Sequence, residues 1–341
     1  MNTLRWAVSL CWTVALPVTV AAQKRVVVTG ASGAEVKELQ AAAPLARIVS
    51  VSEDTEVRRE IAEADGFIGS PTPELMRIGK KLKWVQVGSA GVDNIRFPEL
   101  IRSDVTLTNC KIVQGPEIAD HAFALLLSLT RSLRELIPRM SREEWPLSEF
   151  QTPEKRPIEL NGKTALIIGM GGIGTQIAQR AHAFGMVVYG VDPKDISLTY
   201  FVKSVHPPDQ LRELLPKADV IFISTPHTPE SEKMIGPEEF RLMKQGAYFI
   251  VVSRGKTYDG NALVKALDEK HLAGAGLDVT DPEPLPKGHP LWKFENVVIT
   301  PHLAGTSDGL RGRQMYVFKE NVRRFSENKP LIHVVDKQKG Y

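Results

Sequence analysis

Residues 166–174 read LIIGMGGIG, and Gly169, Gly171 and Gly174 spell G-x-G-x-x-G directly after an apolar run. The helix-like stretch TQIAQRAHAFG follows. In such a turn the first glycine permits the tight bend and the second lets backbone approach a pyrophosphate. The third lets helix and strand pack closely, while the helix N-terminus offers N–H donors. The next apolar run, MVVYGVD, ends in Asp192, eighteen residues after Gly174. A carboxylate there accepts hydrogen bonds from both hydroxyls of an adenosine ribose and repels a 2′-phosphate, which favours NAD over NADP. Lys194 reads as a solvated loop cation. A glycine turn with no ligand is the alternative, but strand, fingerprint, helix and acidic strand end coincide here.

Outward from this motif the chain alternates short apolar runs with helix-like stretches. The runs KTALIIG (163–169), MVVYGVD (186–192), DVIFIST (219–225), AYFIVVS (247–253), AGAGLDV (273–279) and NVVIT (296–300) are apolar over most of their length, as strands buried on both faces are. An earlier series, KRVVVTG (24–30), ARIVSV (46–51), DGFIGS (65–70) and KWVQVGS (83–89), is interleaved with helical stretches at 34–42, 55–64 and 73–82. Both series predict βαβ units and parallel sheets. Between them, 116–137 reads as one long helix opened by Pro116 and stopped at Pro138. A last amphipathic helix near 308–327 follows the final strand of the second unit and is expected to pack back on the first, which makes the first unit discontinuous. The fold expected is α/β, with two doubly wound parallel-sheet domains. A Rossmann nucleotide-binding domain (134–303) is inserted in a flavodoxin-like domain formed by 24–133 and 304–335.

Composition excludes several classes. The 341 residues are 43% hydrophobic and carry a net charge of +3, so neither disorder nor a nucleic-acid partner is indicated. Two cysteines and eight histidines show no metal-ligand spacing and no disulfide framework. No apolar stretch is long enough to span a membrane. Residues 1–22, with Arg5 ahead of an apolar stretch and Ala21–Ala22 at its end, read as a signal peptide, which implies a periplasmic or secreted protein; a cytoplasmic protein is the alternative.

Three strand ends of the second unit carry polar groups in apolar surroundings. Arg254 follows IVVS, Asp278 and Glu283 lie in GLDVTDPEPL, and His302 follows VVITP. Ligands of open α/β sheets bind outside the carboxyl ends of the strands, so all four should face the pyrophosphate site. Histidine titrates near neutrality and suits proton transfer; a carboxylate beside it, Glu283, fixes its tautomer. Arginine clamps a carboxylate bidentately. Together these describe interconversion of a 2-oxo acid and a 2-hydroxy acid by hydride transfer. Alternatives remain open: Arg254 as a carbonyl cap, Glu283 as a surface carboxylate, and the whole as a secreted two-lobed binding protein without catalysis. Of the other histidines, His121 and His182 read as helix packing or solvent-facing, and His227 as lining the cofactor cleft without an accompanying acid. In the first unit Gly88, Ser89, Ala90 and Gly91 follow a strand as a candidate anion nest; an ordinary turn is the alternative.

VGSAGVDN, GPEIADHAFALLL, ELNGKTALIIGMGGIG, STPHTPES, VVSRG, GLDVTDPEPLP and TPHLAG occur in an order that resembles the D-isomer-specific 2-hydroxyacid dehydrogenase family over about residues 25–335. The resemblance implies Arg254 as the substrate-binding catalytic residue, Glu283 as partner and His302 as acid/base. It implies Gly172, Ile173, Asp192, Thr225, Val252, Ser253, Arg254, Asp278, His302 and Gly305 around NAD, with Asp278 at the nicotinamide carboxamide. It also implies the VGSAG loop at the substrate carboxylate, a homodimer formed largely through the nucleotide-binding domain, and closure of the domains over the substrate. Asp120–His121 stands where Glu–His is commoner, and VVSRG lacks an Asn often found before the small residue and Arg. Glu283 argues against formate dehydrogenase, where Gln resembles the equivalent, and no extra C-terminal regulatory domain is present in the sequence.

Overall fold

The structure is a computed structural model and describes residues 23–197 and 199–341; the expected leader at 1–22 lies outside the described residues. Two parallel sheets organise it. The first contains β1 (Lys24–Thr29), β2 (Ala46–Val51), β3 (Gly66–Ile68), β4 (Trp84–Gln86) and β5 (Thr106–Thr108) in the order β2-β1-β3-β4-β5. That is the flavodoxin-like arrangement. The second contains β6 (Thr164–Ile168), β7 (Val187–Val191), β8 (Ser204–His206), β9 (Val220–Ile223), β10 (Ala247–Val251), β11 (Leu272–Leu277) and β12 (Val297–Ile299). Its order, β12-β11-β10-β9-β6-β7-β8, is the Rossmann order with one strand added at the far edge. Two strands, β5 and β8, are not marked by apolar runs; each is a three-residue edge strand.

The apolar runs form strands because both faces are covered. Successive side chains point to opposite faces, so Leu166, Ile168, Ile221, Ile223, Phe249 and Val251 enter one core, while Ala165, Ile167, Val220, Phe222 and Ile250 enter the other. The helix Gly115–Thr130 closes this second core with Ile118, Ala122, Phe123, Leu125 and Leu126. The first sheet ends at Thr108, and the helix after it, within the 24–133 segment, buries its apolar face on the second sheet. The single helix expected over 116–137 is two. It breaks at Ser132, which has φ +57°, and resumes over Leu133–Met140 with Pro138 inside. The buried face runs out at Thr130 and the second helix buries none of its side chains, so packing rather than proline sets the break.

The helix Leu310–Ser326 returns to the first sheet, as its place in the sequence suggests. Val317, Phe318, Val322 and Phe325 join Val26, Val28 and Trp84, with the Trp84 and Phe325 rings 5.0 Å apart. The chain thus crosses between the sheets twice, at 109–114 and at 300–309. Arg313 fastens the crossings: it donates to Val113 O (2.7 Å), to the buried Glu117 carboxylate (2.6 Å) and to Ser307 Oγ (3.4 Å). Gln114 Nε2 faces Gly305 O at 3.5 Å. Among the described residues no helix is long and apolar enough to cross a membrane.

Candidate active site

The three fingerprint glycines have three different reasons to be glycine. Gly169 sits at φ +95°, and a Cβ there would lie 2.9 Å from backbone atoms of Ser224 and Thr225. A Cβ on Gly174 would lie 1.8 Å from Gly169 O, so helix Gly172–Ala183 approaches β6 only without a side chain. Gly171 has open space in front of it, as a position that admits a ligand requires. Asp192, at the end of β7, accepts from Met170 N (2.8 Å) and Lys194 N (2.9 Å), which ties the acidic strand end to the glycine turn.

The crevice beyond β9 and β10 holds unspent polar groups. Thr225 Oγ1, Ser253 Oγ and His227 Nε2 are buried without a hydrogen-bond partner. Buried polar atoms of this kind are rare and call for a ligand or water. An open glycine at a helix N-terminus, a carboxylate at the neighbouring strand end and orphaned hydroxyls fit a dinucleotide. Glu232 Oε2 stands 3.6 Å from His227 Nε2, so an acid does accompany this histidine, because the turn after Pro226 brings Glu232 back.

Arg254, Glu283 and His302 leave β10, β11 and β12, which are adjacent in the sheet. The loops after β10 and β11 pack backbone to backbone: a Cβ on Gly255 would stand 2.0 Å from Thr280 O. His302 Nδ1 faces Glu283 Oε1 at 2.5 Å. With the carboxylate ionised, Nδ1 carries the proton and donates, which leaves Nε2 for a ligand. His302 has φ +52°, and the cost of that backbone is met by Asp278. The His302 N–H donates to Asp278 O (2.9 Å), and the Asp278 carboxylate, 2% exposed, receives Leu303 N, Ala304 N and Thr300 Oγ1 at 2.6–3.0 Å. Asp278 therefore holds the histidine loop.

Two participants escaped the sequence. His121 Nε2 lies 2.8 Å from Thr300 Oγ1 and 3.4 Å from Asp278 Oδ1, so it belongs to the support of the histidine loop and not to packing or solvent. Asp93, in VGSAGVDN, pairs with Arg254 from the other sheet, Nε and Nη2 both lying 2.9 Å from Oδ2. Only its place next to the glycine-rich loop could have suggested it. The loop itself abuts the guanidinium: a Cβ on Gly91 would stand 1.8 Å from Arg254 Nη2. Of the proposed nest, Ala90 N already donates to Gln114 Oε1 (2.9 Å), and Ser89 Oγ donates to Gly91 O (2.7 Å). Gly88 O accepts from Gln314 Nε2 (2.8 Å), which pins the loop to the returning helix.

Residues 123–304 match the family model described as D-isomer specific 2-hydroxyacid dehydrogenase, NAD binding domain. A glyoxylate reductase of Korarchaeum cryptofilum is 35% identical over 268 residues, 78% of this chain and 79% of that protein. Among solved structures, a D-isomer specific 2-hydroxyacid dehydrogenase family protein of Aeromonas salmonicida superimposes with a TM-score of 0.79 at 30% identity, covering 93% of this chain and all of that one. An NADPH-dependent glyoxylate/hydroxypyruvate reductase of Sinorhizobium meliloti, solved with NADP and sulfate, gives a TM-score of 0.77 at 26% identity, covering 93% of this chain and 100% of that one.

Proposed function

The chain belongs to the D-isomer specific 2-hydroxyacid dehydrogenase family, and from that premise we propose that it reduces a small 2-oxo acid to the D-2-hydroxy acid, and the reverse, with His302 and Glu283 handling the proton and Arg254 holding the substrate. The observation that carries the reading is the His302–Glu283 contact, which leaves Nε2 free at the same end of the sheet as the glycine turn. A nicotinamide bound in the crevice would exchange a hydride with carbon 2 of the substrate. His302 Nε2 gives a proton to the substrate oxygen in reduction and takes it back in oxidation. Glu283 keeps the ring in the correct tautomer and stabilises its protonated form. Arg254 and the Gly88–Gly91 loop receive the carboxylate. Asp192 selects NAD by accepting from the ribose hydroxyls.

Glyoxylate and hydroxypyruvate, named in the relatives, are the first substrates to try. NADH consumption across a panel of 2-oxo acids tests the reaction. His302→Ala should lower kcat by about 10²–10⁴ while leaving the Kd for NADH unchanged. Full activity in that variant would sink the assignment. A homodimer is part of the proposal, supported by exposed apolar side chains along 133–147: Leu133, Ile137, Met140, Leu147 and Trp145, the last 80% exposed. Export through the leader at 1–22 is likewise proposed, on sequence grounds alone; fractionation of expressing cells tests it.

A further inference from the structure

We propose that Asp93 is a positioning residue that turns Arg254 into a two-point receptor for the substrate carboxylate; this rests on the reading of Arg254 as the substrate anchor. A guanidinium has five N–H donors in a fixed plane. Here Nε donates one to Asp93 Oδ2 at 2.9 Å, with Nη2 standing 2.9 Å from the same oxygen as an ion pair, and Nη1 gives one to Ser253 O at 2.7 Å. Three N–H bonds remain, two on Nη2 and one on Nη1, so both terminal nitrogens keep a donor. Donors on the two terminal nitrogens side by side match the two oxygens of a carboxylate. A different pairing by Asp93 would leave a different set free, so the choice of partner atoms decides what the guanidinium presents.

The placement is as specific as the orientation. Asp93 begins the short turn Asp93–Ile95 in the first unit, whereas Arg254 leaves the second sheet after β10. Their pairing draws the guanidinium against Gly91, to a distance that no side chain at 91 would allow. The loop proposed to hold the substrate and the cation proposed to hold it are thereby brought to one point. Both side chains are about one-third exposed, so water competes for them and the pair adds little to stability. Its effect falls on geometry, because without Asp93 a long flexible side chain is left to find one pose among many.

The test uses the full protein with Asp93→Ala, Asp93→Asn and Arg254→Lys. Three quantities are measured: the Kd for NADH by fluorescence, the affinity of the NADH-loaded protein for oxamate (an unreactive isostere of a 2-oxo acid) by calorimetry, and KM and kcat with glyoxylate. Asp93→Ala should leave NADH affinity within about twofold and weaken oxamate by about 10²-fold, the scale of a displacement near 1 Å. The amide oxygen of Asp93→Asn still accepts from the same N–H groups, so that variant should recover to about tenfold. In an Arg254→Lys background, which lacks the fork, Asp93→Ala should cost less than about threefold. Unchanged or tighter oxamate binding in Asp93→Ala would overturn the proposal, since it would make Asp93 a bystander or a mere repulsive charge. Additive losses in the double variant would overturn it too. Should Asp93→Ala lose NADH affinity through misfolding, Asp93→Asn decides alone, and wild-type oxamate affinity there counts against the proposal. A wild-type protein that neither binds oxamate nor reduces glyoxylate would instead strike the underlying reading of the site.

Discussion

Replacing Gly91 by alanine would place a methyl group where the Arg254 guanidinium now lies, 1.8 Å from Nη2 and 2.9 Å from Cζ. Non-bonded heavy atoms of this kind rest near ~3.5 Å, so the guanidinium must retreat by roughly 1.5–2 Å. Gly91 does not have a positive φ, and the obstructing atoms are the far end of a flexible side chain. The fold therefore yields at small cost, under about 1 kcal/mol. Catalysis yields far more: a misplacement of about 1 Å costs on the order of 10²-fold. The expected loss in kcat/KM is about 10²–10³-fold, or roughly 3–4 kcal/mol of transition-state stabilisation. The assay is initial-rate NADH oxidation with the best 2-oxo acid of the panel, beside NADH affinity and a thermal midpoint. NADH affinity should stay put, because Gly91 lies in the loop after β4 of the first sheet. A variant with wild-type kcat/KM and intact NADH binding would show that the substrate does not meet Arg254 above this loop.

Gly174→Ala makes the same overlap with opposite consequences. Its Cβ would meet a backbone carbonyl, Gly169 O, which cannot swing aside. Stability should fall by about 1–3 kcal/mol and NADH binding should weaken with it, as denaturant unfolding and NADH titration will report; unchanged stability would contradict the close helix–strand contact. Burial pushes the Cys110 thiol up to about 12, so a chain beginning at Gln23 should resist a disulfide reagent at mildly alkaline pH while folded and react with one equivalent when unfolded. Rapid labelling of the native protein would mean that the loop after β5 opens far more often than its packing suggests.

The parts of this molecule that could be read from its sequence are those governed by neighbours along the chain. The second sheet is legible because strands such as Val220–Ile223 are buried on both faces and show as unbroken apolar runs. Thr106–Thr108 and Ser204–His206 are not, since their threonine, serine and histidine residues break any apolar run. Glu283 and His302 could be paired in advance because they follow adjacent strands on the side where ligands bind. Asp93 and Arg254 are 161 positions apart and in different sheets, and no local pattern announces their meeting. His121 sits on a helix whose buried residues are mostly apolar, so its contact with Thr300 becomes visible only when the histidine loop is folded beside it.

The paired crossings that Arg313 fastens have a mechanical consequence. Two tethers lying side by side define a line, and swinging about that line is the one large displacement that stretches neither. Sliding one sheet past the other would strain both. Motion per degree grows with distance from such a pivot. Ala90 is bonded to Gln114, and Gln114 faces Gly305, so the loop against Arg254 lies close to the axis while the outer rims of the cleft ride on long arms. The gap can widen to admit a guest at its lip while the receptor deep inside scarcely shifts.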